Sequence, residues 1–202
     1  MTIDRFCREH VAEAARLHCA GLTGLLSRLG LPAARAFYSG CVMSGSAHAL
    51  VALDGGALLG HVLGSVHPDR LSGDVLRANP FGVLAGVGYG AVRHPSVLPW
   101  LVKHRRGPHE GSYDRAGAEL TYLAVAPDSR GRGIGRDLVD AFTEAMREAG
   151  VSAYELSVDD DNRAAISLYE RMAFEPVGRY REFGIMHRRY RLSLRIEGER
   201  TR

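Results

Sequence analysis

The chain has 202 residues, 46% of them hydrophobic and 24% charged, which is the composition of one α/β domain large enough to bury a real core. A net charge of +3, with acidic and basic residues interleaved, excludes the basic stripe of a nucleic-acid binder and suits an anionic cofactor. Cys7, Cys19 and Cys41 fall outside any C-x-x-C spacing, which argues against a disulfide framework or a zinc site and for reduced thiols.

The opening MTIDRFCREH is polar where a secretory signal needs an apolar stretch, and no uncharged run approaches the roughly 20 residues that cross a bilayer. A cytoplasmic protein with no membrane partner is therefore expected. After a short strand near Ile3 to Cys7, the stretch REHVAEAARLHCAGL places Val11, Ala14, Ala15 and Leu17 to Leu22 at helical spacing. A second helix is predicted from Pro32, favourable in a first helical turn, through Ala36, Phe37 and Tyr38 to about Met43. HALVALD and ALLGHVLGSV are apolar runs of strand length joined by Asp54-Gly55-Gly56, whose glycines supply the positive φ of a tight turn; they predict an antiparallel hairpin.

Residues 67 to about 116 change in character. Pro68, Pro80, Pro95, Pro99 and Pro108 punctuate them, and apolar segments at 81–92 and 96–102 run into Lys103-His104-Arg105-Arg106. The stretch reads as an inserted helical flap, favoured as a lid over a substrate, with a membrane-contacting patch as the alternative; FGVLAGVGYGAV is too short to span a membrane, and its glycines make it a mobile or a close-packed element. Its His67, His94, His104 and His109 are too irregular for a metal site, and Trp100 and Tyr89 offer either a stacking surface or core packing.

From Glu119, ELTYLAVAP reads as a strand ended by Pro127. DSRGRGIG follows, then a helix RDLVDAFTEAMREAG with an apolar stripe of Leu138, Val139, Phe142, Ala145 and Met146 and a stop at Gly150. A strand VSAYELSV, a polar DDDN, a helix RAAISLYERMAF and terminal strands near Glu175 to Tyr180 and His187 to Leu194 complete the chain. Strand, loop, helix, strand, helix places a parallel pair at the centre of the sheet.

The glycines of Arg130-Gly131-Arg132-Gly133-Ile134-Gly135 allow several backbone N–H groups to converge at a helix N-terminus, an anion cradle to which Arg130, Arg132 and Arg136 add full charges suited to a pyrophosphate. A Walker loop would need Gly-Lys-Ser/Thr, which is missing. A dinucleotide fingerprint would need a first-strand position and a different third-glycine spacing.

LAVAPDSRGRGIG followed by NRAAISLYERMAF resembles the GNAT superfamily of acyl-CoA-dependent N-acetyltransferases, most strongly from Glu119 to Arg181 and least across 67–116. The resemblance implies one acetyltransferase domain over 1–202 with a flap at about 67–116. Its fold would be α/β, a GNAT-like mixed and splayed central sheet flanked by helices, with the helical insertion before the central strand. It implies acetyl-CoA as co-substrate, no metal, and a homodimer as a family-level expectation. The backbone of Arg130 to Gly135, including Ile134, would hold the pyrophosphate; Leu123 and Val125 would pair their main chain with the pantetheine arm, and Asn162 would touch that arm from the other side. Tyr169, in the spacing Asn162, Ala165, Tyr169, would be the acid that protonates the departing sulfur. Glu119, four residues before Leu123 and so expected on the same strand face, would be the base.

Two departures from the family pattern stand out. Ala173-Phe174 replaces the usual Gly-Phe and predicts an altered turn at the helix end. Ser157 stands where protein N-terminal acetyltransferases carry a glutamate, with Glu155 on the same strand face as a candidate replacement. The favoured acceptor is a small primary amine such as an amino sugar or amino acid derivative. A protein N-terminus or lysine, and a CoA-sensing module without turnover, are the alternatives.

Overall fold

A computed structural model describes residues 1–99, 117–182 and 184–194. Trp100, His104, His109 and the rest of 100–116 lie outside the described residues. Strand β1 (Thr2–Arg5) is followed by helices α1 (Val11–Gly21), α2 (Leu25–Leu29) and α3 (Leu31–Ser44), then by the hairpin β2 (His48–Asp54) and β3 (Ala57–Ser65). Helices α4 (Pro68–Ala78) and α5 (Pro80–Arg93) come next. The remaining elements are β4 (Ala118–Val125), α6 (Ile134–Glu148), β5 (Ala153–Asp159), α7 (Arg163–Arg171), β6 (Glu175–Glu182) and β7 (Ile185–Ser193).

The seven strands make one sheet in the order β1-β2-β3-β4-β5-β7-β6, with β4 and β5 parallel and every other pairing antiparallel. The sheet is covered on both faces along β2 and β3, because those strands carry apolar residues on both sides. Val62, Leu120, Tyr154 and Leu156 pack under α6 and α7 with Leu138, Phe142 and Ile166. Val51 and Leu63 pack on the opposite face against Ala14, Ala15, Ala34 and Tyr38 of α1 and α3. The hairpin between β2 and β3 turns through Gly55 and Gly56, both at positive φ, as the Asp-Gly-Gly signal predicts. Helix α6 ends as its sequence indicates: Gly150 is left-handed at φ 72, and the Val151 N–H closes on the Met146 carbonyl.

Two local features depart from simple periodicity. In β4, Leu63 faces Tyr122 but Gly64 faces Leu120, so Thr121 is an extra residue without a partner in β3. The described part of 67–116 forms two helices that pack on α3. A Cβ at Gly86 would lie 2.7 Å from the Ala33 Cα and one at Gly90 2.7 Å from the Leu29 Cα, so those glycines set how closely α5 approaches α3 and α2. The outer side of α5 leaves Phe81 and Val92 exposed. No helix among the described residues is long and apolar enough to cross a membrane.

Candidate active site

The parallel pairing of β4 with β5 runs only through Ala118 to Leu120 and Tyr154 to Leu156. Beyond Leu120 the two strands separate, and their facing edges border a cavity of about 1060 Å³. Strand alternation decides which main-chain groups face it. The Ala126 N–H bonds the Leu59 carbonyl, so Ala124 and Tyr122 exchange hydrogen bonds with β3, while Leu123 and Val125 turn their N–H and C=O toward the gap. The Val125 carbonyl accepts from Arg130 Nε at 3.2 Å. An extended amide-bearing chain laid in this gap would meet the free strand edge that the sequence assigned to Leu123 and Val125.

One end of the slot is the start of α6. Gly131 and Gly133 are left-handed, at φ 76 and 86, and a Cβ on either would meet open space, so the requirement for glycine there is conformational. Gly133 caps α6 without a side chain, leaving the first N–H groups of the helix free for an anion. Arg130, Gly131, Gly133, Ile134, Gly135 and Arg136 line the slot. Arg132 is exposed and does not line it. Ile134 contributes backbone alone, since its side chain is buried under α6. Arg171, at the end of α7, adds a positive charge that the sequence did not single out. The donor set and the open cradle fit a pyrophosphate.

Asn162 lines the other wall and serves as N-cap of α7, its Oδ1 accepting from the Ala165 N–H at 3.1 Å. Tyr169 reaches the slot from α7 while 5% exposed, its ring tilted against Phe174 and Tyr190. Burial, with a smaller contribution from Tyr154, pushes its phenol well above the ordinary value, so it stays protonated and able to donate.

Glu119 also lines the slot, but the bulge at Thr121 changes its face. It pairs with Ser65 beside Tyr122, whereas Leu123 pairs with Val62 on the α6 side. The expectation that Glu119 and Leu123 share a face is therefore corrected: an extra residue inverts the alternation between them. Glu119 thus faces the α1–α3 side of the sheet, opposite the helix that begins at the glycine loop. Glu155, the other carboxylate considered as base, is 1% exposed and does not line the slot. Its Oε2 accepts from Arg189 Nε at 2.5 Å and its Oε1 from Arg191 at 2.6 Å. Arg189 reaches Glu119 at 3.4 Å, so the buried pair holds the guanidinium that steadies Glu119.

Sequence reasoning missed the polar floor on that side. Asp159 pairs across the sheet with His187, and His187 with Tyr180; together with Ser157, Glu182 and Thr23 these line the slot. The signal was available: Glu155, Ser157 and Asp159 alternate with Tyr154, Leu156 and Val158, as do His187, Arg189 and Arg191 with Arg188 and Tyr190. The lining thus carries both signs, Arg130, Arg136 and Arg171 together with Glu119, Asp159 and Glu182. Of the described residues in 67–116, Ser72 alone lines it. Elsewhere, Cys7, Glu9 and His10 bring donor atoms within 4.8 Å of one another, but the thiol already donates to Glu9 and His10 Nδ1 accepts from the Cys7 N–H.

The chain resembles known proteins in sequence and in fold. It is 40% identical over 72 residues to a mycothiol acetyltransferase of Beutenbergia cavernae, covering 36% of this chain and 24% of that protein. It is 37% identical over 67 residues to an acetyltransferase of Pectobacterium atrosepticum, covering 33% and 48%. The alignments thus span from about a quarter to about half of these curated relatives. An N-acetyltransferase of Staphylococcus aureus superposes with a TM-score of 0.63 at 18% identity, covering 95% of this chain and 100% of that one. The ribosomal-protein-S18-alanine N-acetyltransferase of Escherichia coli does so at 0.62 and 17%, covering 98% and 96%. A Salmonella typhimurium acetyltransferase solved with acetyl-CoA superposes at 0.60 and 15%, covering 96% and 94%. The family model described as Acetyltransferase (GNAT) family matches residues 30–174, more than half of the chain and the whole of the glycine loop, the splayed strands and α7, and the chain belongs to that family.

Proposed function

We propose that this chain is an N-acetyltransferase that moves the acetyl group of acetyl-CoA directly to the primary amine of a small molecule. The observation that carries the reading is the slot itself: a strand edge left unpaired by splaying, with an anion cradle at one end and proton-transfer groups at the other. Acetyl-CoA supplies the thioester. The α6 N-terminus, Arg130 and Arg136 would hold its pyrophosphate, and the Leu123 and Val125 main chain its extended arm. A backbone N–H at Leu123 would polarise the thioester carbonyl, Glu119 would take a proton from the amine, and Tyr169 would donate one to the departing sulfur. Mycothiol acetyltransferases among the relatives support the small-molecule class.

A second reading, with a protein amine as acceptor, draws on the three carboxylates in the lining of the slot, Glu119, Asp159 and Glu182, which would attract a basic peptide. A binding module without turnover would need neither Glu119 nor Tyr169 in the slot. The test is acetyl-CoA-dependent thiol release across amino sugars, polyamines, amino acids and N-terminal peptides, with Tyr169→Phe beside the wild type. Release that requires an amine and falls about 10²-fold or more in Tyr169→Phe, at unchanged acetyl-CoA affinity, supports the mechanism. Undiminished release in the variant removes Tyr169 from it, and a wild type that does not bind acetyl-CoA rejects the whole reading.

A further inference from the structure

Acetylating a protonated amine takes two protons from nitrogen: one finishes on the thiol, and the other must leave the site. A single base beside the nitrogen accounts for one of these removals. The structure holds a second group of the right kind on the same side of the sheet as Glu119. His187 Nδ1 lies 3.0 Å from Asp159 Oδ1, and Asp159 Oδ2 accepts from Thr23 Oγ1 at 2.8 Å, so the carboxylate is fixed from both sides. A carboxylate at Nδ1 selects the tautomer with the proton on that nitrogen and leaves the lone pair on Nε2.

The ring is also held in its plane. Tyr180 stacks on it with centroids 5.0 Å apart and an interplanar angle of 18°, and the Tyr180 hydroxyl is itself bonded to Ser157. Strand register accounts for the arrangement, since Asp159, His187 and Tyr180 are direct cross-strand partners on β5, β7 and β6. The His187 side chain is 11% exposed and lines the slot, which leaves a route for a proton to water. This is the geometry of an oriented general base: a nitrogen lone pair, a third group that fixes its direction, and a cavity for the reacting partner.

We propose that His187, oriented by Asp159, takes the ammonium proton of the acceptor before attack and releases it to solvent, leaving Glu119 to take the proton lost as the new amide forms. The proposal rests on the acetyl-transfer reading above. The step balances: R–NH₃⁺ and neutral imidazole give R–NH₂ and imidazolium, whose charge Asp159 offsets, and the imidazolium then gives its proton to water. Asp159 is a positioning residue and His187 the reacting one.

The experiment uses the full chain with acetyl-CoA and two probes, D-glucosamine and ethylamine, in the wild type, His187→Ala, His187→Gln and Asp159→Asn. The expected result is a fall in kcat of about 10²-fold or more for both His187 variants and a smaller fall for Asp159→Asn. Acetyl-CoA affinity should be unchanged in all three, which also shows that they are folded, and added imidazole should restore much of the His187→Ala loss. A His187→Ala kcat within twofold of wild type, or a loss that imidazole does not rescue at intact acetyl-CoA affinity, overturns the proposal. If the wild type acetylates neither probe, the small-amine reading fails on its own, and the dyad is judged by nitrogen NMR of ¹⁵N-histidine protein. An Nδ1–H tautomer at His187 that is lost in Asp159→Asn upholds the oriented base, and an Nε2–H tautomer overturns it.

Discussion

Tyr169 and Ala173 lie four residues apart at the end of one helix, and each shows how a single side chain can obey its local environment and serve a second purpose. Tyr169 is packed as a core residue, yet its burial keeps the phenol protonated beside the slot, so the structural and the proposed chemical roles depend on the same contacts. Ala173 is the one non-glycine among the described residues at positive φ, 62°. The Phe174 N–H reaches the Tyr169 carbonyl at 3.0 Å and the Ala173 N–H the Glu170 carbonyl at 3.2 Å, the hydrogen bonds of a left-handed helix cap. The sequence predicts an altered turn here. Instead the turn is kept and the alanine takes the strained conformation, because Phe174 is buried in the core and fixes where the chain must go. Replacing Ala173 with glycine removes the Cβ penalty at the cost of some unfolded-chain entropy. Ala173→Gly is expected to stabilise the fold by about 1 kcal/mol, read as a rise in Tm of ~2–4 °C. A variant no more stable than wild type would show that the cap is not strained.

At the scale of elements, α5 gives the clearest case of a helix whose composition is set by its neighbours. Its glycines lower helix propensity, and the sequence alone reads them as a mobile or close-packed flap. The structure separates them by position. A Cβ at Gly86 would lie 2.7 Å from the Ala33 Cα and 2.9 Å from its nitrogen, both backbone atoms, whereas a Cβ at Gly88 would meet nothing within 4 Å. Gly86→Ala is therefore expected to destabilise by roughly 1–3 kcal/mol despite alanine's better propensity, and Gly88→Ala to stabilise by about 0.5–1 kcal/mol. Urea denaturation of the two variants checks this, and equal effects would mean that α5 does not sit tightly on α3. Elements with one clear signal were legible: the Asp-Gly-Gly hairpin, the stripe of α6, the glycine loop and the parallel central pair. The short α2 was not, because five residues, Leu25–Leu29, carry too little periodicity to stand out. The bulge at Thr121 was not either. An extra residue leaves no mark in the pattern of ELTYLAV, and only the pairing with β3 reveals that Glu119 and Leu123 face opposite ways. The polar floor required the strands to be placed in register before its separate residues became a site.

Over the whole molecule, the face that carries the acceptor end of the slot rests on a core with an unusual polar centre. His18 and His61 are completely buried beneath α1 and α3, joined through Tyr38: its hydroxyl lies 2.9 Å from His18 Nδ1 and 2.7 Å from His61 Nε2. The hydroxyl has one proton, so one imidazole accepts from it and the other donates to it. The outer nitrogens, His18 Nε2 and His61 Nδ1, are buried without a hydrogen-bond partner among the described residues. Burial lowers His18 to about 4, and burial with the neighbouring His18 lowers His61 to about 3. The sign follows from linkage. The unfolded chain begins to bind protons at these positions near the ordinary histidine value of 6.5, while the folded chain does not until pH 4 or below, so acid favours the unfolded state across that interval. Their contribution is fully present above about pH 7 and is lost as pH falls, by on the order of 3 kcal/mol per histidine near pH 4, a large part of a typical folding free energy. Unfolding free energy measured by urea titration at about pH 7.5, 6, 5 and 4.5, values that bracket the histidine range, should therefore fall steeply. His61→Asn keeps a partner for the Tyr38 hydroxyl but cannot titrate, and should be less stable at neutral pH with a visibly shallower decline into acid. A wild-type stability that stays flat between pH 7.5 and 4.5 (about the same interval) would mean that the two imidazoles reach water or a counter-charge, and that the α1–α3 layer is more loosely closed over the sheet than its packing indicates.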